Sequence, residues 1–254
     1  MARTQAGESV LSRVVRIIEA FGPRETSLTV TEISRRSRLH IATASRLVDE
    51  LTSFGWLERG EGRKVRIGVK LWEVVSRASP TLGLREAAMP VMEDLHAIVG
   101  QHIQLGVIEG DEVLFVERLT APGAVVNYTR VAGRLPLHAS SAGLLLLAFA
   151  PPAQQERILA GPLEVFTGRT ISSPAQLKIA LAEVRRQGYA LLSGHLHPAA
   201  TGIAVPVRDP SGKVLSALAV VLPNDETAHS RIAVLQAASA AVTRAMDYPA
   251  PPLK

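Results

Sequence analysis

The segment "HASSAG" at residues 138–143 places an imidazole, two hydroxyls and small residues directly before the apolar run "LLLLAFA". Two kinds of chemistry fit these residue types. A serine beside a histidine base can act as a nucleophile, and hydroxyls with free amides at the start of a helix can bind a carboxylate. The nucleophile needs a third orienting group and a G-x-S-x-G turn, which the chain lacks. We therefore expect anion binding or helix capping by Ser140 and Ser141 rather than hydrolysis.

The histidines are a second set of candidates. Three imidazoles, at His138, His195 and His197, can hold a metal ion, and the spacing of the last two predicts that they share one face of a strand. The chain has no cysteine and no evident carboxylate ligand near them, so we predict no metal site. We interpret His195 as an exposed loop residue or a hydrogen-bond donor to a ligand. No Walker loop, HExxH motif or carboxylate pair is present, so we expect neither a cofactor nor an enzyme.

A third set lies in "RLHIATASRLVDELTSFGWL" at residues 38–57. Its apolar residues recur at three- and four-residue steps, which predicts an amphipathic helix over 41–54. These residues are Ala44, Leu47, Val48, Leu51 and Phe54. Thr31 is predicted as the N-cap of a shorter preceding helix that ends near Ser37. Two short helices joined by three residues are typical of a helix-turn-helix, and a further helix is predicted upstream over 9–21.

The segment "GWLERGEGRKVRIG" then predicts a β-hairpin with a basic return strand, as in the winged form of the motif. Small residues at the start of the 41–54 helix would allow close approach to a major groove, where Arg46 can reach guanine or a phosphate. The predicted DNA contacts are Arg36, Arg38, His40, Ala42, Thr43, Ser45, Arg46, Arg63 and Lys64. The alternative is ordinary surface charge, with Arg46 paired to Asp49 or Glu50.

The charge is distributed unevenly along the chain. The net charge of +5 lies entirely in residues 1–70, which hold 13 basic and 8 acidic side chains, whereas residues 71–254 hold 15 of each. A basic small domain beside a neutral larger one favours a polyanion as partner of the first. No apolar run approaches the ~18 residues that span a bilayer, and the N-terminus lacks the apolar segment of a secretion signal. We therefore expect a cytoplasmic protein without membrane contact.

The rest of the chain predicts a linker followed by an α+β domain. After the helical "VKLWEVVSRA" and a break at residues 79–83, a further helix is predicted. Its apolar stripe is Leu84, Ala88, Val91, Leu95 and Ile98. Period-two patterns predict successive strands over 102–110, 111–119 and 124–133. An apolar helix follows, then an amphipathic helix that ends at Gly188, two strands, and a closing helix over 230–246.

These elements predict an antiparallel sheet with helices on one face. We assign residues 1–70 to a winged helix-turn-helix domain, residues 71–100 to linker helices and residues 101–254 to a sensor-like domain.

Four stretches together resemble the IclR family of transcriptional regulators: "RLHIATASRLVDELTSFGWLERG", "RLPLHASSAGLLLLAF", "QGYALL" and "GIAVPVRDPSGKVLSALAVV". The resemblance covers residues 9–246. It implies an α+β chain with a winged helix-turn-helix domain, a linker helix and a GAF-like effector-binding domain. It also implies a homodimer, or a tetramer built as a dimer of dimers, on a pseudo-palindromic double-stranded DNA operator. Such regulators repress or activate catabolic operons in response to a small molecule, often a carboxylate, and we expect a repressor.

The resemblance also implies the effector-binding residues, position by position. They are Asn127, Leu135, Ser140, Ser141, Ala142, Leu192, Gly202, Ala219 and Val221, to which we add His195. Many family members carry two acidic residues and a nearby glycine where this chain has Gly194, His195 and Ala199. Polar residues common on the last pocket strand are replaced by Ala219 and Val221.

A pocket without these polar groups should prefer an aromatic or otherwise hydrophobic acid, or a neutral derivative. The alternatives are a ligand-independent DNA-binding protein whose C-terminal domain only forms oligomers, and a hydrolase that uses the "HASSAG" loop.

Overall fold

The structure is a computed structural model that describes residues 8–22, 25–78 and 80–247. The chain divides into two compact units, Met1–Ser79 and Pro80–Lys254. Each unit has its own core and is described by itself. Within the described ranges, no helix is long and apolar enough to cross a membrane.

The described part of the first unit contains four α-helices and three short strands. In chain order they are α1 (Val10–Glu19), β1 (Ser27–Thr29), α2 (Val30–Ser37), α3 (Ile41–Ser53), β2 (Leu57–Arg59), β3 (Lys64–Ile67) and α4 (Val69–Ala78). The helices predicted over 9–21 and 41–54 are confirmed to within two residues at each end. The hairpin is confirmed as well, with a tight turn at Glu61–Arg63 between its strands.

The start of α2 differs from the prediction. The Thr29 hydroxyl accepts a hydrogen bond from the Glu32 amide, and the Glu32 carboxylate accepts one from the Thr29 amide at 2.8 Å. This reciprocal capping box fixes the first helical residue at Val30. The prediction of Thr31 as N-cap is therefore wrong, because the capping box needs Glu or Gln three residues after the cap, which Thr29 has in Glu32 and Thr31 does not have.

The turn between α2 and α3 has the predicted length of three residues, Arg38 to His40. Arg38 adopts a left-handed conformation with φ of 55°, which ends α2 sharply. The Leu39 amide donates to the Ser34 carbonyl at 3.1 Å, and the Ser34 hydroxyl donates to the Leu39 carbonyl at 2.7 Å. These bonds satisfy the end of α2 and set the direction in which α3 starts.

The core of the first unit lies between α1, α2, α3 and the small sheet. β1 pairs with β3 as an additional strand, so the sheet order is β1-β3-β2. The buried apolar residues are Ile17, Ala20, Leu28, Ile33, Leu47, Val48, Leu51, Leu57 and Val65, and Ala44 of α3 is buried too. Phe54 was predicted in this stripe, but its side chain is 58% exposed. It lies one residue beyond the end of α3, where the chain leaves the helix path.

The described part of the second unit contains five α-helices and six strands. They are α5 (Pro80–Val99), β4 (His102–Glu109), β5 (Glu112–Leu119), β6 (Arg134–Pro136), α6 (Ser141–Ala148), α7 (Pro152–Ala160), α8 (Pro174–Gln187), β7 (Ala190–Ser193), β8 (Ala200–Arg208), β9 (Val214–Pro223) and α9 (Ile232–Asp247). The strand order is β6-β5-β4-β9-β8-β7, with every neighbouring pair antiparallel. The predicted apolar helix, amphipathic helix, final strand pair and closing helix are confirmed. Gly188 ends α8 with φ of 78°.

Helices cover both faces of this sheet, so the prediction of helices on one face is wrong. The helices α5 and α9 pack on Ile103, Leu105, Ile203, Val205 and Leu218, whereas α6 and α8 pack on the opposite face. The central strands are apolar on both sides because both sides are covered. The α6 face carries small residues, such as Ala204 and Ala217, which lets this helix approach the strands closely.

The helix α5 begins at Pro80, four residues before the predicted stripe starts, although Ser79 lies outside the described residues. Its buried face is Leu84, Ala88, Met92, Leu95 and Val99. Met92 and Val99 belong to this face although they were not predicted, and the predicted Val91 packs against it while partly buried. The predicted Ile98 does not belong to it, since its side chain is 59% exposed. The buried positions recur at steps of three and four residues, as on one face of a helix that packs against the sheet.

Residues 124–133 were predicted as a third meander strand, but they form an irregular crossing segment, and the short β6 pairs with β5 instead. Side chains of β4, of β5 and of the residue before β4 form hydrogen bonds with its backbone groups. His102 Nε2 donates to the Val125 carbonyl at 2.6 Å, Gln101 Oε1 accepts from the Val125 amide at 3.0 Å, and Arg118 donates to the Thr129 carbonyl. These partners satisfy part of its backbone, and at its end the Ala132 amide donates to the Phe115 carbonyl of β5 at 2.8 Å.

Candidate nucleic-acid interface and ligand cavity

The first turns of α3 present small residues and one arginine away from the core. Ala42 and Arg46 are exposed, and Thr43 and Ser45 are partly buried. His40 is the N-cap, because its Nδ1 accepts a hydrogen bond from the Ala42 amide at 3.3 Å. The buried stripe of α3 faces the opposite side, so this edge is open to a partner.

Ion pairs separate the predicted cations of the first unit into two groups. Arg36 pairs with Glu25 and donates to the Ala20 carbonyl at 3.2 Å, so its guanidinium forms contacts that stabilise the first unit. The hairpin arginines at positions 59 and 66 pair with Asp49 and Glu58. Among the described residues of the first unit, the exposed cations without an ion pair or a side-chain hydrogen bond are Arg35, Arg38, Arg46, Arg63, Lys64 and Lys70.

The alternative pairing of Arg46 with Asp49 or Glu50 is not formed, since Asp49 pairs with Arg59 instead. At the tip of the hairpin, Gly62 and Arg63 have φ of 66° and 60°, and this tight turn leaves Arg63 and Lys64 exposed. Unpaired cations on the helix edge, the helix-helix turn and the hairpin tip can meet a phosphate backbone while the small residues approach bases.

The second unit contains a hollow between the sheet, the start of α6, the crossing segment and the loop after β7. It holds about 490 Å³ of empty space, counting the part that opens to solvent. Its lining residues are Gln104, Phe115, Val126, Asn127, Tyr128, Thr129, Leu135, Ala139, Ser140, Ser141, Ala142, Leu192, His195, Leu196, His197, Ala200, Gly202 and Val221. This set contains no lysine, arginine, aspartate or glutamate. The wall is therefore free of lysine, arginine and carboxylate side chains, and its mainly apolar surface includes eight side chains that can form hydrogen bonds, which suits a small organic ligand.

The start of α6 supplies hydrogen-bond donors to this cavity. Ser140 is the N-cap, and its hydroxyl accepts from the Gly143 amide at 3.0 Å. The amides of Ser141 and Ala142 and the Ser141 hydroxyl have no hydrogen-bond partner within the described chain. Amides at a helix start carry partial positive charge and favour a carboxylate. The capping and anion-binding interpretations of this loop are therefore compatible, because they use different atoms.

Two glycines hold the walls of the cavity close together. A Cβ on Gly143 would lie 2.6 Å from the Leu137 carbonyl oxygen, so only glycine lets the loop fold back on the first turn of α6. A Cβ on Gly202 would lie 2.7 Å from the Ser141 hydroxyl oxygen. Gly202 of β8 therefore lies directly against the start of α6, at the floor of the cavity.

His195 and His197 lie in the tight loop between β7 and β8, so the prediction that they share a strand face is wrong. Thr167 and Thr170 hold this loop by donating to the carbonyls of Gly194 and His195 at 2.7 and 2.6 Å. Burial lowers the pKa of His195, the Ser193 carbonyl raises it, and the nearby charge of Arg169 lowers it further. His195 is therefore a partly buried loop residue that favours its neutral form.

The cavity brings together most of the predicted effector residues. Those that line it are Asn127, Leu135, Ser140, Ser141, Ala142, Leu192, His195, Gly202 and Val221. Ala219 does not line it and is 1% exposed in the core beneath α6, where its Cα pairs with those of Gln104 and Ala204. The prediction missed Gln104, although a polar residue within the apolar strand "HIQLGVIE" is a readable signal.

The other missed lining residues come mainly from the crossing segment and from the loop around His197. These segments have no hydrophobic period that would indicate which way they face.

His138 takes no part in the cavity. Its side chain is 3% exposed, and Nε2 donates to the Glu164 carbonyl at 2.9 Å. It therefore neither completes a metal site with the other two histidines nor acts as a base for the serines. Among the described residues, no group of three potential metal ligands is close enough to hold an ion.

Two family profiles match the chain. Residues 77–248 match "Bacterial transcriptional regulator IclR C-terminal", and residues 10–61 match "IclR helix-turn-helix domain". The chain belongs to the IclR family. The predicted resemblance and the predicted fold class are thereby confirmed. The IclR chain is a DNA-binding transcriptional regulator with an effector-binding C-terminal domain, and the prediction that it is not an enzyme follows from its family.

Two relatives illustrate the likeness. The HTH-type transcriptional regulator XynR of Escherichia coli (strain K12) is 31% identical over 246 residues, covering 94% of this chain and 98% of XynR. A crystal structure of an IclR homolog from Microbacterium hydrocarbonoxydans, complexed with 4-hydroxybenzoate, is 44% identical. The alignment covers 94% of this chain and 99% of that one, with a TM-score of 0.91.

Proposed function

We propose that this IclR-family chain is a repressor of a catabolic operon that binds a pseudo-palindromic operator in the cytoplasm. The α3 edge enters the major groove, where Arg46 contacts a base or phosphate and Ala42, Thr43 and Ser45 allow close approach. Arg38, Arg63 and Lys64 contact phosphates from the turn and the hairpin tip. What supports this is that these cations are exposed and lack partners within the described chain.

The ion-paired Arg36 has a smaller role in this proposal. Its guanidinium already binds Glu25 and the Ala20 carbonyl, so it orients α2 and is less available to DNA.

The regulator acts as a homodimer or as a dimer of dimers. Two helices of the first unit carry exposed apolar side chains. On α1 these are Val10, Leu11 and Val15, and on α4 they are Val69, Trp72 and Val75. The exposed fraction of Trp72 is 66%. Apolar faces of this kind favour burial against a second copy, and two copies would place two α3 helices on the half-sites of a palindrome.

The effector is an aromatic or otherwise hydrophobic acid. The observation that carries this proposal is a cavity with an apolar, uncharged lining that also exposes the unpartnered amides of Ser141 and Ala142. An apolar wall binds the ring, and the helix start binds the carboxylate without a buried counter-charge. The complex of the Microbacterium hydrocarbonoxydans homolog with 4-hydroxybenzoate supports the same class of ligand here.

The regulator couples the two sites by linkage. A ligand that binds one state of the dimer more tightly than the other shifts operator affinity by the same coupling free energy, and about 1 to 3 kcal/mol gives a 5- to 150-fold change.

Footprinting tests the whole proposal. The purified chain is incubated with DNA that flanks its own gene, at near-physiological salt, with 4-hydroxybenzoate, benzoate, or short polar acids such as glyoxylate. We expect a protected palindrome that is released by a benzoate and unaffected by glyoxylate. Protection that responds to none of the acids would favour the ligand-independent alternative, and release by glyoxylate alone would exclude an aromatic effector.

A further inference from the structure

The polarity of one cavity wall is set by a chain of three side chains. Asn127 Oδ1 accepts hydrogen bonds from the Thr129 amide at 3.0 Å and from the Thr129 hydroxyl at 2.8 Å. Gln104 donates its amide to the same hydroxyl. A backbone amide can only donate, so the oxygen of Asn127 must face Thr129 and its Nδ2 must face away. Asn127 Nδ2 is buried and has no partner among the described residues, so the wall offers an unused donor.

The two histidines that line the cavity carry their protons on different ring nitrogens. His195 Nδ1 lies 3.2 Å from the Ser193 carbonyl oxygen, which can only accept, so Nδ1 carries the proton. In the neutral ring, Nε2 is then an acceptor without a partner in the described chain. His197 Nδ1 instead accepts from the Ala199 amide at 3.2 Å, so its proton is on Nε2. On this assignment His195 would accept a hydrogen bond from a ligand and not donate one, because its N–H already donates to Ser193.

An acceptor nitrogen in an uncharged cavity distinguishes ligands by a single hydrogen atom. His195 Nε2 can accept a hydrogen bond from a hydroxyl or amino group of the ligand. An ether oxygen or a fluorine has no hydrogen to donate, so its lone pairs would face the lone pair of Nε2. A partly desolvated acceptor left without a donor weakens binding, so the selection against such ligands is stronger than the gain from a correct one. Burial lowers the pKa of His195 below its ordinary value and the charge of Arg169 lowers it further, against the raising effect of the Ser193 carbonyl, so the neutral ring is favoured.

We propose that the cavity selects a hydroxylated aromatic acid, with His195 Nε2 accepting the hydrogen bond of the ligand hydroxyl and Asn127 Nδ2 donating to a ligand oxygen. This inference rests on the aromatic acid effector proposed above and names what selects among such acids. Gln104 and Thr129 are positioning residues, since they fix which end of the Asn127 amide faces the cavity.

The test is calorimetric titration of the full chain with four benzoates that differ at the 4-position. The 4-hydroxy and 4-amino compounds carry a donor, and the 4-fluoro and 4-methoxy compounds do not. The fluoro compound is small, which separates the donor from size. We expect the two donor compounds to bind at least about tenfold more tightly, which corresponds to about 1.4 kcal/mol.

His195→Leu should abolish that preference, and it should bind 4-fluorobenzoate more tightly than the unmodified chain does, because the acceptor that faces the fluorine is removed. Measurable binding of this compound also shows that the variant is folded. His229→Leu is the matched control, because His229 is exposed and outside the cavity lining. It should retain the full preference.

The outcomes separate the two proposals. Equal binding of all four compounds by the unmodified chain, or an unchanged preference in His195→Leu, would overturn the inference and leave the aromatic effector in place. Binding of none of the four would overturn the proposed effector class and the inference with it.

Discussion

The α3 edge of the first unit and the cavity of the second both present polar groups without partners in the described chain, but the groups differ in charge and burial. At the α3 edge they are exposed cations such as Arg46 and Arg63, which water already solvates. In the cavity they are neutral donors and acceptors, such as Asn127 Nδ2 and the Ser141 amide, which are shielded from water. The first kind acts over a Debye length and the second only at contact.

This difference determines what each site can recognise. An exposed cation costs the fold little free energy, so the surface can keep several and bind a polyanion by summed charge. A buried unpartnered donor costs the fold about 1 to 3 kcal/mol until something bonds to it. A ligand that satisfies such a donor recovers this free energy, which favours selectivity for one small molecule.

The largest effect is expected at Arg46. Replacing it with Ala should remove a contact worth about 1 to 3 kcal/mol and abolish specific protection of the operator, with the second unit still folded. Footprinting measures protection of the operator, and calorimetric ligand binding shows whether the second unit is still folded. Arg66→Ala is the matched control, since Arg66 already pairs with Glu58 on the hairpin. Unchanged footprints of the Arg46 variant would remove this residue from base recognition.

The next effect is expected in the cavity. Asn127→Asp keeps the oxygen that accepts from Thr129 and replaces only the unpartnered donor with a second acceptor. The new carboxylate would repel an acid ligand, so we expect calorimetry to show at least about tenfold weaker binding of 4-hydroxybenzoate, or about 1.4 kcal/mol. Operator binding without ligand should not change. A variant that binds the acid as before would show that Asn127 Nδ2 does not face the ligand.

A graded effect is expected at the hairpin tip. Arg63→Ala and Lys64→Ala should each weaken binding to operator and random DNA alike and reduce the slope of log affinity against log salt by about one. Arg59→Ala, which removes a cation already paired with Asp49, should change the slope less. Titrations at three salt concentrations measure these slopes. A loss confined to the operator would instead indicate base recognition by the hairpin.

The smallest effect is the pH dependence of stability in the second unit. Burial lowers the pKa of His102 and His195 in the folded chain below the ordinary value of 6.5. As the pH falls below 6.5, the unfolded chain binds protons that the folded chain does not, so the free energy of unfolding decreases toward the folded pKa. Urea unfolding at pH 7.5, 6.5 and 5.5 should show this decrease, with a smaller slope in His195→Leu. A variant with the same slope would contradict the assignment to His195.

Much of the first unit can be predicted from its sequence because local rules position its elements. The i, i+3, i+4 spacing of Ala44, Leu47, Val48 and Leu51 fixes both the extent of α3 and its buried face. The one wrong cap, Thr31, has the correct alternative in the sequence, since Thr29 and Glu32 have capping-box spacing. Which arginines are unpaired is not local information, because Arg36 and Arg59 find their carboxylates 11 and 10 residues away.

The cavity is predictable only in part. The small and hydroxyl residues before α6 are recognisable because helix starts have a sequence signature. Ala219 and Gln104 occupy paired positions on neighbouring strands, yet only Gln104 lines the cavity. Whether such a residue lines the cavity depends on how close α6 lies to its strand. The residue pattern of a single strand does not predict that distance.

The sequence by itself determined most of the helices, the family and the uneven charge, because helix caps, hydrophobic periods and charge counts are properties of short segments. The tertiary structure alone decided that helices cover both faces of the sheet and that residues 124–133 cross it irregularly. It also decided which nitrogen of His195 bonds to Ser193 and which end of Asn127 is left without a partner among the described residues. These are set by partners such as Ser193 and Thr129, and hydrogen bonds are directional, so only the folded arrangement specifies them.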